Sequence, residues 1–455
     1  MELSGFKNTI ERFGISGEAQ SEFMNLFARY QQSKVNRVEW QSIQSPDPSR
    51  LVSFDALTVP TDQQAEEALS RLAVCKLNGG LGTSMGCTGP KSSIEVKHEK
   101  SFLDLILMQL EHIGKKQKVN IPLLLMNSFH THEATLELLE DRKTPLALEC
   151  FQQHRFLRLD RDTKEPLDPN LLGEDAWYPP GHGDIFSCLK HQGMLDRLLE
   201  EGKEILFVSN ADNLGAVVDA AIAHYMLAED IPFIMEMTPK TPADVKGGTL
   251  YQDAQGRLHL LELAQVPRQH VDEFCSTNKF KVFNTNNIWI HLRHLKQRME
   301  QGPMDLNLIV NEKRVAGRPV IQLETAIGAG LESFDRGQGL VVERDRFLPV
   351  KNISDLLLIQ SGLFALDNGR LTQSPTRHKK SLPIISFREP FRDLREYQKR
   401  IPVIPDMLEL ESLELEGDVC FEGEVSLKGR VTLIGKDKPI RIAAGTCLDD
   451  RRIIQ

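Results

Sequence analysis

Cysteine is sparse in this chain. Seven residues, Cys75, Cys87, Cys150, Cys188, Cys275, Cys420 and Cys447, lie scattered along it. Their number is odd and none forms Cys-x-x-Cys, so neither a disulfide framework nor a zinc knuckle is indicated. Reduced thiols in a cytoplasmic protein are the expectation. No apolar run approaches the ~20 residues that span a bilayer. The opening, MELSGFKNTIERFG, carries charges throughout and no apolar core, unlike a secretory signal. Nor is there a surplus of base: 55 Lys and Arg stand against 64 Asp and Glu, a net charge of −9. That balance, with no basic stripe interleaved with aromatics, argues against a protein that coats nucleic acid or an anionic membrane. It is compatible with a local basic pocket for a phosphorylated small molecule.

What is present is an ordinary globular composition, 40% hydrophobic and 26% charged. At roughly 100–200 residues per domain, the 455 residues make two to four domains. Residues 1–70 read as a helical lead-in, with Phe23, Phe27 and Tyr30 on one face of a helix over Glu18–Tyr30. Pro46, Pro48 and Pro60 then mark a loop. From Arg71 onward, short apolar runs read as buried strands: Leu72–Leu77, Ile121–Met126, Glu204–Val208 and Ile231–Met235. Helices are expected between the first of them, over Phe102–His112 with Ser101 as N-cap and over Glu133–Leu139. Alternating strands and helices imply an α/β fold with a mostly parallel sheet covered on both faces. Ligands of such sheets bind beyond the carboxyl ends of the strands. There the sequence is small and polar: Asn78-Gly-Gly, Asn127-Ser128 and Ser209–Asn213.

After a basic, proline-bearing stretch over Ser374–Pro383, the pattern changes again. Gly417, Gly423, Gly429 and Gly435 recur every six residues, in phase with Val419, Val425 and Val431 and with Phe421, Leu427 and Leu433. A six-residue period with one turn residue and stacked apolar columns predicts a short parallel β-helix over an antiparallel meander.

The strongest local signal is Lys76–Ser92, KLNGGLGTSMGCTGPKS, with five glycines directly after a strand. Such a loop can turn successive backbone N–H groups toward a phosphate. It is not a Walker A loop, because Pro90 separates Gly89 from Lys91. It is not a dinucleotide fingerprint either, because Met85 occupies the place of the third glycine after Gly80 and Gly82. A longer phosphate loop with a lysine at its far end remains.

That loop resembles the one of the UTP–glucose-1-phosphate uridylyltransferase (UDP-glucose pyrophosphorylase) family, in its eukaryotic-type branch. Further strings match in order: Pro180-Gly-His-Gly-Asp184, Val208–Gly215, Gly247-Gly-Thr-Leu250, Glu262–Pro267, Phe283–Trp289, Gln322–Thr325 and Pro349–Asp355. Ala211 within Ser-Asn-x-Asp and Gln152 before Gln153 are small departures. The resemblance covers about residues 70–360. It implies a Rossmann-like, GT-A-like nucleotidyltransferase core over 71–375 and a left-handed parallel β-helix over 376–455. It also implies Mg²⁺ as cofactor, with UTP, glucose 1-phosphate, UDP-glucose and pyrophosphate as partners. A homo-oligomer through the β-helix is compatible with it.

By the same resemblance, Leu77, Asn78, Gly79 and Gly80 contact uracil and ribose, with Gln153 reading the base and Gly181 lying against it. A side-chain amide can answer both the donor and the acceptor of a uracil edge. Lys91 faces the triphosphate, and Asp212 is the Mg²⁺ ligand and borders UTP. His182, Asn210, Gly248, Glu262, Asn284, Asn286 and Lys351 take glucose 1-phosphate, with Lys91 and Lys351 as the catalytic pair. Two polyanions must be brought together, so positioning and cations carry such a reaction and no general base is needed. A uridylyltransferase for N-acetylhexosamine 1-phosphate would share this chemistry. A catalytically silent sensor would be expected to lack Lys91, Asp212 or Lys351, and all three are present.

Overall fold

A computed structural model of the chain describes residues 2–32, 38–241, 245–277, 279–379 and 381–455, with every side chain except those of Ser84 and Ala264. Its centre is an eight-stranded sheet. In chain order the strands are β1 (Leu51–Ser53), β2 (Leu72–Leu77), β3 (Leu123–Asn127), β4 (Leu148–Gln152), β5 (Ile205–Asn210), β6 (Phe233–Pro239), β7 (Val282–His291) and β8 (Gln338–Val341). Their spatial order is β1-β8-β6-β7-β5-β2-β3-β4. Every pairing is parallel except those of β7, which runs antiparallel to both β5 and β6. The expected parallel sheet is therefore interrupted once. The lead-in before residue 71 also contributes to it, since Leu51 pairs with Gly339 at the edge.

Alternation along the strands sorts the two faces. Leu72, Val74, Leu123, Leu125, Ile205 and Phe207 belong to one buried cluster, and Ala73, Cys75, Leu124, Met126, Leu206 and Val208 to the other. Because both faces are covered, these strands read as continuous apolar runs. Ser101 caps the helix Phe102–Gln117 in a reciprocal capping box with Asp104, as its position before the apolar run suggested. The helix Gly17–Gln31 buries Phe23 and Phe27, and a first helix over Leu3–Arg12 stacks Phe6 on Phe27 with ring centroids 3.7 Å apart. These helices cover a small antiparallel sheet built from Leu159–Asp160, Leu308–Val315 and Arg318–Thr325.

The tail coils. Leu410–Phe421 pairs in parallel with Val425–Ile442, which pairs in parallel with Thr446–Asp449 and Arg452–Ile454. Leu413 lies beside Val431 and Leu415 beside Leu433, so one coil consumes three hexads and the apolar columns stack inside. This parallel β-helix shares a continuous buried cluster with one face of the central sheet. No helix among the described residues is long and apolar enough to cross a membrane.

Candidate active site

The carboxyl ends of β2, β3, β4 and β5 lie side by side, and the small polar segments that follow them form one rim. Asn78 is buried there, its amide nitrogen donating to Asn127 Oδ1 at 2.7 Å and to Thr135 Oγ1 at 3.0 Å. Its main-chain N–H donates to Met126 O at 2.8 Å and its carbonyl accepts the Thr131 hydroxyl at 2.9 Å, so Asn78 is fastened to the rim through both side chain and main chain. Gly79 O accepts the Ser128 hydroxyl at 2.8 Å, and a side chain at Gly79 would run into the Gln153 amide. Gln153 is itself buried, and its Oε1 has no hydrogen-bond partner among the described residues. A buried carbonyl without a donor is costly and calls for one from outside.

The glycine loop folds back on itself. Lys91 donates its N–H to Gly80 O at 3.2 Å and Gly82 donates to Gly89 O at 3.3 Å. Short 3₁₀ turns at Gly82–Met85 and Lys91–Ser93 complete it. The fold-back carries Lys91 across to β5, where its Nζ lies 2.6 Å from Asp212 Oδ2. Ala211 donates to Leu77 O at 3.1 Å, which fixes the Asp212 turn against the start of the loop.

Lys351 arrives from the far side. Val350 donates to Asp212 O at 3.1 Å, and the Lys351 and Asn352 N–H groups donate to Asp355 Oδ2 at 2.8 and 3.1 Å. Burial raises the Asp355 carboxyl above its ordinary range, and the Lys91 and Lys351 charges both oppose that rise. The two lysines, distant in sequence, thus act on one carboxylate. Burial likewise raises Glu262, with Lys351 pulling the other way.

Glu262 stands opposite Gly248, at which a Cβ would come within 2.6–2.8 Å of its carboxylate. Asn284 donates its N–H to Gly248 O at 2.7 Å, Asn286 N–H donates to Asn284 Oδ1 at 2.8 Å, and Asn286 Nδ2 donates to Asn210 Oδ1 at 3.0 Å. Asn286 has a positive φ, and the register of β7 on β6 shifts between Met235 and Met237. Across this irregularity Asn286 turns to Asn210 while the adjacent Asn287 turns inward to Glu236. His182 Nδ1 accepts the Ile327 N–H at 3.0 Å, so its proton sits on Nε2. Burial lowers the ring to about 4 and keeps it neutral. Gly181 packs against the Thr325 main chain, and Pro180 O accepts the Thr325 N–H at 2.9 Å.

The family-model comparison matches "UTP--glucose-1-phosphate uridylyltransferase" over residues 20–428. The chain belongs to that family. It is a nucleotidyltransferase by that membership. Among curated relatives, the UTP–glucose-1-phosphate uridylyltransferase of Hordeum vulgare is 45% identical over 424 residues, spanning 92% of this chain and 89% of the relative. That of Pyrus pyrifolia is 47% identical over 413 residues, spanning 90% and 87%. A variant of UDP-glucose pyrophosphorylase from Leishmania major, solved with UDP-glucose, superposes with a TM-score of 0.88 at 31% identity, covering 99% and 98% of the two chains. A structure described as UDP-glucose phosphorylase from Trypanosoma brucei gives 0.88 at 32%, covering 100% and 99%.

Several groups around this candidate site escaped the sequence reading. Glu236 and Arg346 form a buried bidentate pair, Arg346 Nε to Oε2 at 2.8 Å and Nη2 to Oε1 at 2.6 Å. Trp289 Nε1 and Asn287 Nδ2 donate to the same carboxylate at 2.8 and 2.9 Å. Lys76, also buried, donates to Ser209 Oγ at 2.7 Å and Ala216 O at 2.9 Å. Burial brings it down to about 7, helped by Arg346 and resisted by Glu236. The available signal was a charge inside an apolar strand, LAVCKL and FIMEM, which requires a partner wherever the strand is covered on both sides.

Proposed function

We propose that this uridylyltransferase joins UTP and α-D-glucose 1-phosphate by in-line attack of a sugar-phosphate oxygen on the α-phosphorus of UTP. Pyrophosphate leaves as UDP-glucose forms. The attacking oxygen is anionic near neutral pH, so the protein's task is alignment and relief of charge repulsion. The observation that carries this reading is the convergence of Lys91 and Lys351 on the Asp212–Asp355 region, reached from two separate segments.

At the base end, Gln153 would accept the uracil N3–H at Oε1 and donate from Nε2 to a uracil carbonyl, which supplies its missing partner. Main chain of Leu77, Asn78, Gly79 and Gly80 would line the base and ribose, with Gly181 beside them. Lys91 would face the phosphates of UTP, and Lys351 the α-phosphate and the sugar phosphate. The neutral His182 would donate from Nε2 to a sugar-phosphate oxygen. Asn210, Gly248, Glu262, Asn284 and Asn286 would take the glucose hydroxyls, each of which both donates and accepts.

Asp212 fits Mg²⁺, which commonly takes one carboxylate together with substrate phosphates. Lys91 engages only its Oδ2, and Oδ1 has no donor among the described residues. When bound, such an ion would offset charge developing on the departing pyrophosphate. A coupled assay for UDP-glucose from UTP and glucose 1-phosphate tests the whole reading. It is run with and without Mg²⁺ and with ATP, CTP, GTP and dTTP as competitors. Turnover that needs the ion and that only UTP supports is expected; failure to form UDP-glucose under any condition sinks the proposal.

A further inference from the structure

Asp184 ends the Pro180-Gly-His-Gly-Asp184 string, yet its carboxylate is buried and turned into the protein. Its Oδ2 accepts the main-chain N–H of His154 at 2.7 Å and the Cys188 thiol at 3.3 Å. Its Oδ1 lies 2.7 Å from His154 Nδ1. A carboxylate can only accept, so Nδ1 carries the proton. Burial alone would lower His154, but the Asp184 hydrogen bond and charge, with Glu22 and Glu18, hold the ring above its ordinary range. The pair is therefore charge-assisted, which roughly doubles the strength of such a bond.

The two ends of this clamp are what matter. His154 directly follows Gln153, whose own N–H donates to Asn127 O at 2.9 Å. The Gln153–His154 peptide is thus pinned to β3 on one side and to Asp184 on the other. Asp184 stands two residues beyond His182. We propose that Asp184 is a positioning residue that fastens the segment presenting Gln153 to the loop presenting His182, so that base and sugar phosphate are held at one fixed spacing. The inference rests on the roles assigned above to those two residues, while Asp184 itself touches neither substrate.

Asp184→Asn tests it. The amide keeps the volume and one acceptor for the His154 N–H, and its NH₂ can be accommodated if the ring moves its proton to Nε2. The fold should survive while the clamp loosens. KM for UTP and for glucose 1-phosphate should each rise roughly tenfold. Preference for UTP over CTP should fall, and the melting temperature should stay close to that of the parent. The deciding measurement is a double-mutant cycle on UTP binding. If Asp184 acts through Gln153, Asp184→Asn should add less than about twofold in a Gln153→Ala background. Additive losses, or a fall in kcat with both KM values unchanged, overturn the inference. If Asp184→Asn does not fold, His154→Gln, which keeps the main-chain N–H and removes the ring, goes through the same cycle with the same criteria. A Gln153→Ala variant that binds UTP like the parent overturns the base-reading role and this inference together, whereas additivity overturns only this one.

Discussion

Lys351 follows Pro349, which bridges to Asn213, and a main chain fixed by Asp355, so truncating its side chain removes a charge and leaves the backbone supported. Lys351→Ala should lower kcat by about 10²-fold or more with little change in melting temperature, read from steady-state kinetics beside a thermal scan. Gly248→Ala tests the other end of the cleft. The new methyl would push on the Glu262 carboxylate, so KM for glucose 1-phosphate should rise about tenfold or more while UTP binding, measured by calorimetry, stays as it was. His182 makes a pH prediction. Folded, it titrates near 4; unfolded, near 6.5. Between those values the unfolded chain binds the extra proton, so stability contributed by this residue is intact above about 6.5 and is lost as pH falls toward 4. The melting temperature of the parent should therefore drop more steeply over that window than that of His182→Gln. At this scale the sequence pointed to residues that the fold gathers on one rim: Lys91 and Asp212 sit in dense motifs far apart in the chain and meet there. It was uninformative about who pairs with whom: that Lys91 would rest on Asp212 depends on the fold-back of the loop, and Asp184 looked like one more motif residue.

Strands account for what was legible and what was hidden among the elements. Leu72–Leu77 was readable to the residue because both its faces are covered and all of it but Lys76 is apolar. The strand expected over Ile231–Met235 lies over Phe233–Pro239, displaced toward its carboxyl end where Glu236 and Thr238 break the apolar run. β7 went unread because Asn284-Thr-Asn-Asn287 interrupts its apolar residues with four polar ones, with no strand period to read. The Glu236–Arg346 pair couples β6 to the segment after β8 and supports β7 through Asn287 and Trp289. Glu236→Gln removes the buried carboxylate that grips the guanidinium, leaving Asp219 at 3.9 Å as its nearest counter-charge, and should cost about 3 kcal/mol, seen as a lower denaturation midpoint. Glu236→Gln combined with Arg346→Met keeps an acceptor for Trp289 and Asn287 and should be less destabilised than the sum of the two single variants; a fully additive double variant would contradict the pairing argument.

Across the whole molecule, the six-residue period revealed the β-helix, whereas its docking onto the catalytic core was invisible, since packing between distant segments leaves no local period. The contact is intimate. Gly86, at φ +72°, lies so near Asp393 that any side chain there would collide with the carboxylate, and Asp393 caps the helix Leu394–Arg400 that leads into the coil. Gly86→Val should lower kcat/KM at least about tenfold by prising the phosphate loop from this support, with both strain and collision contributing. A variant with parental kinetics would show that the loop tolerates separation. Chain ends are ordinarily where a protein can be extended, trimmed or re-worded at small cost. Here that latitude stops short: an alteration near residue 393 that lifts the cap would be registered some three hundred positions upstream, at the glycine-rich turn proposed above to hold the nucleotide.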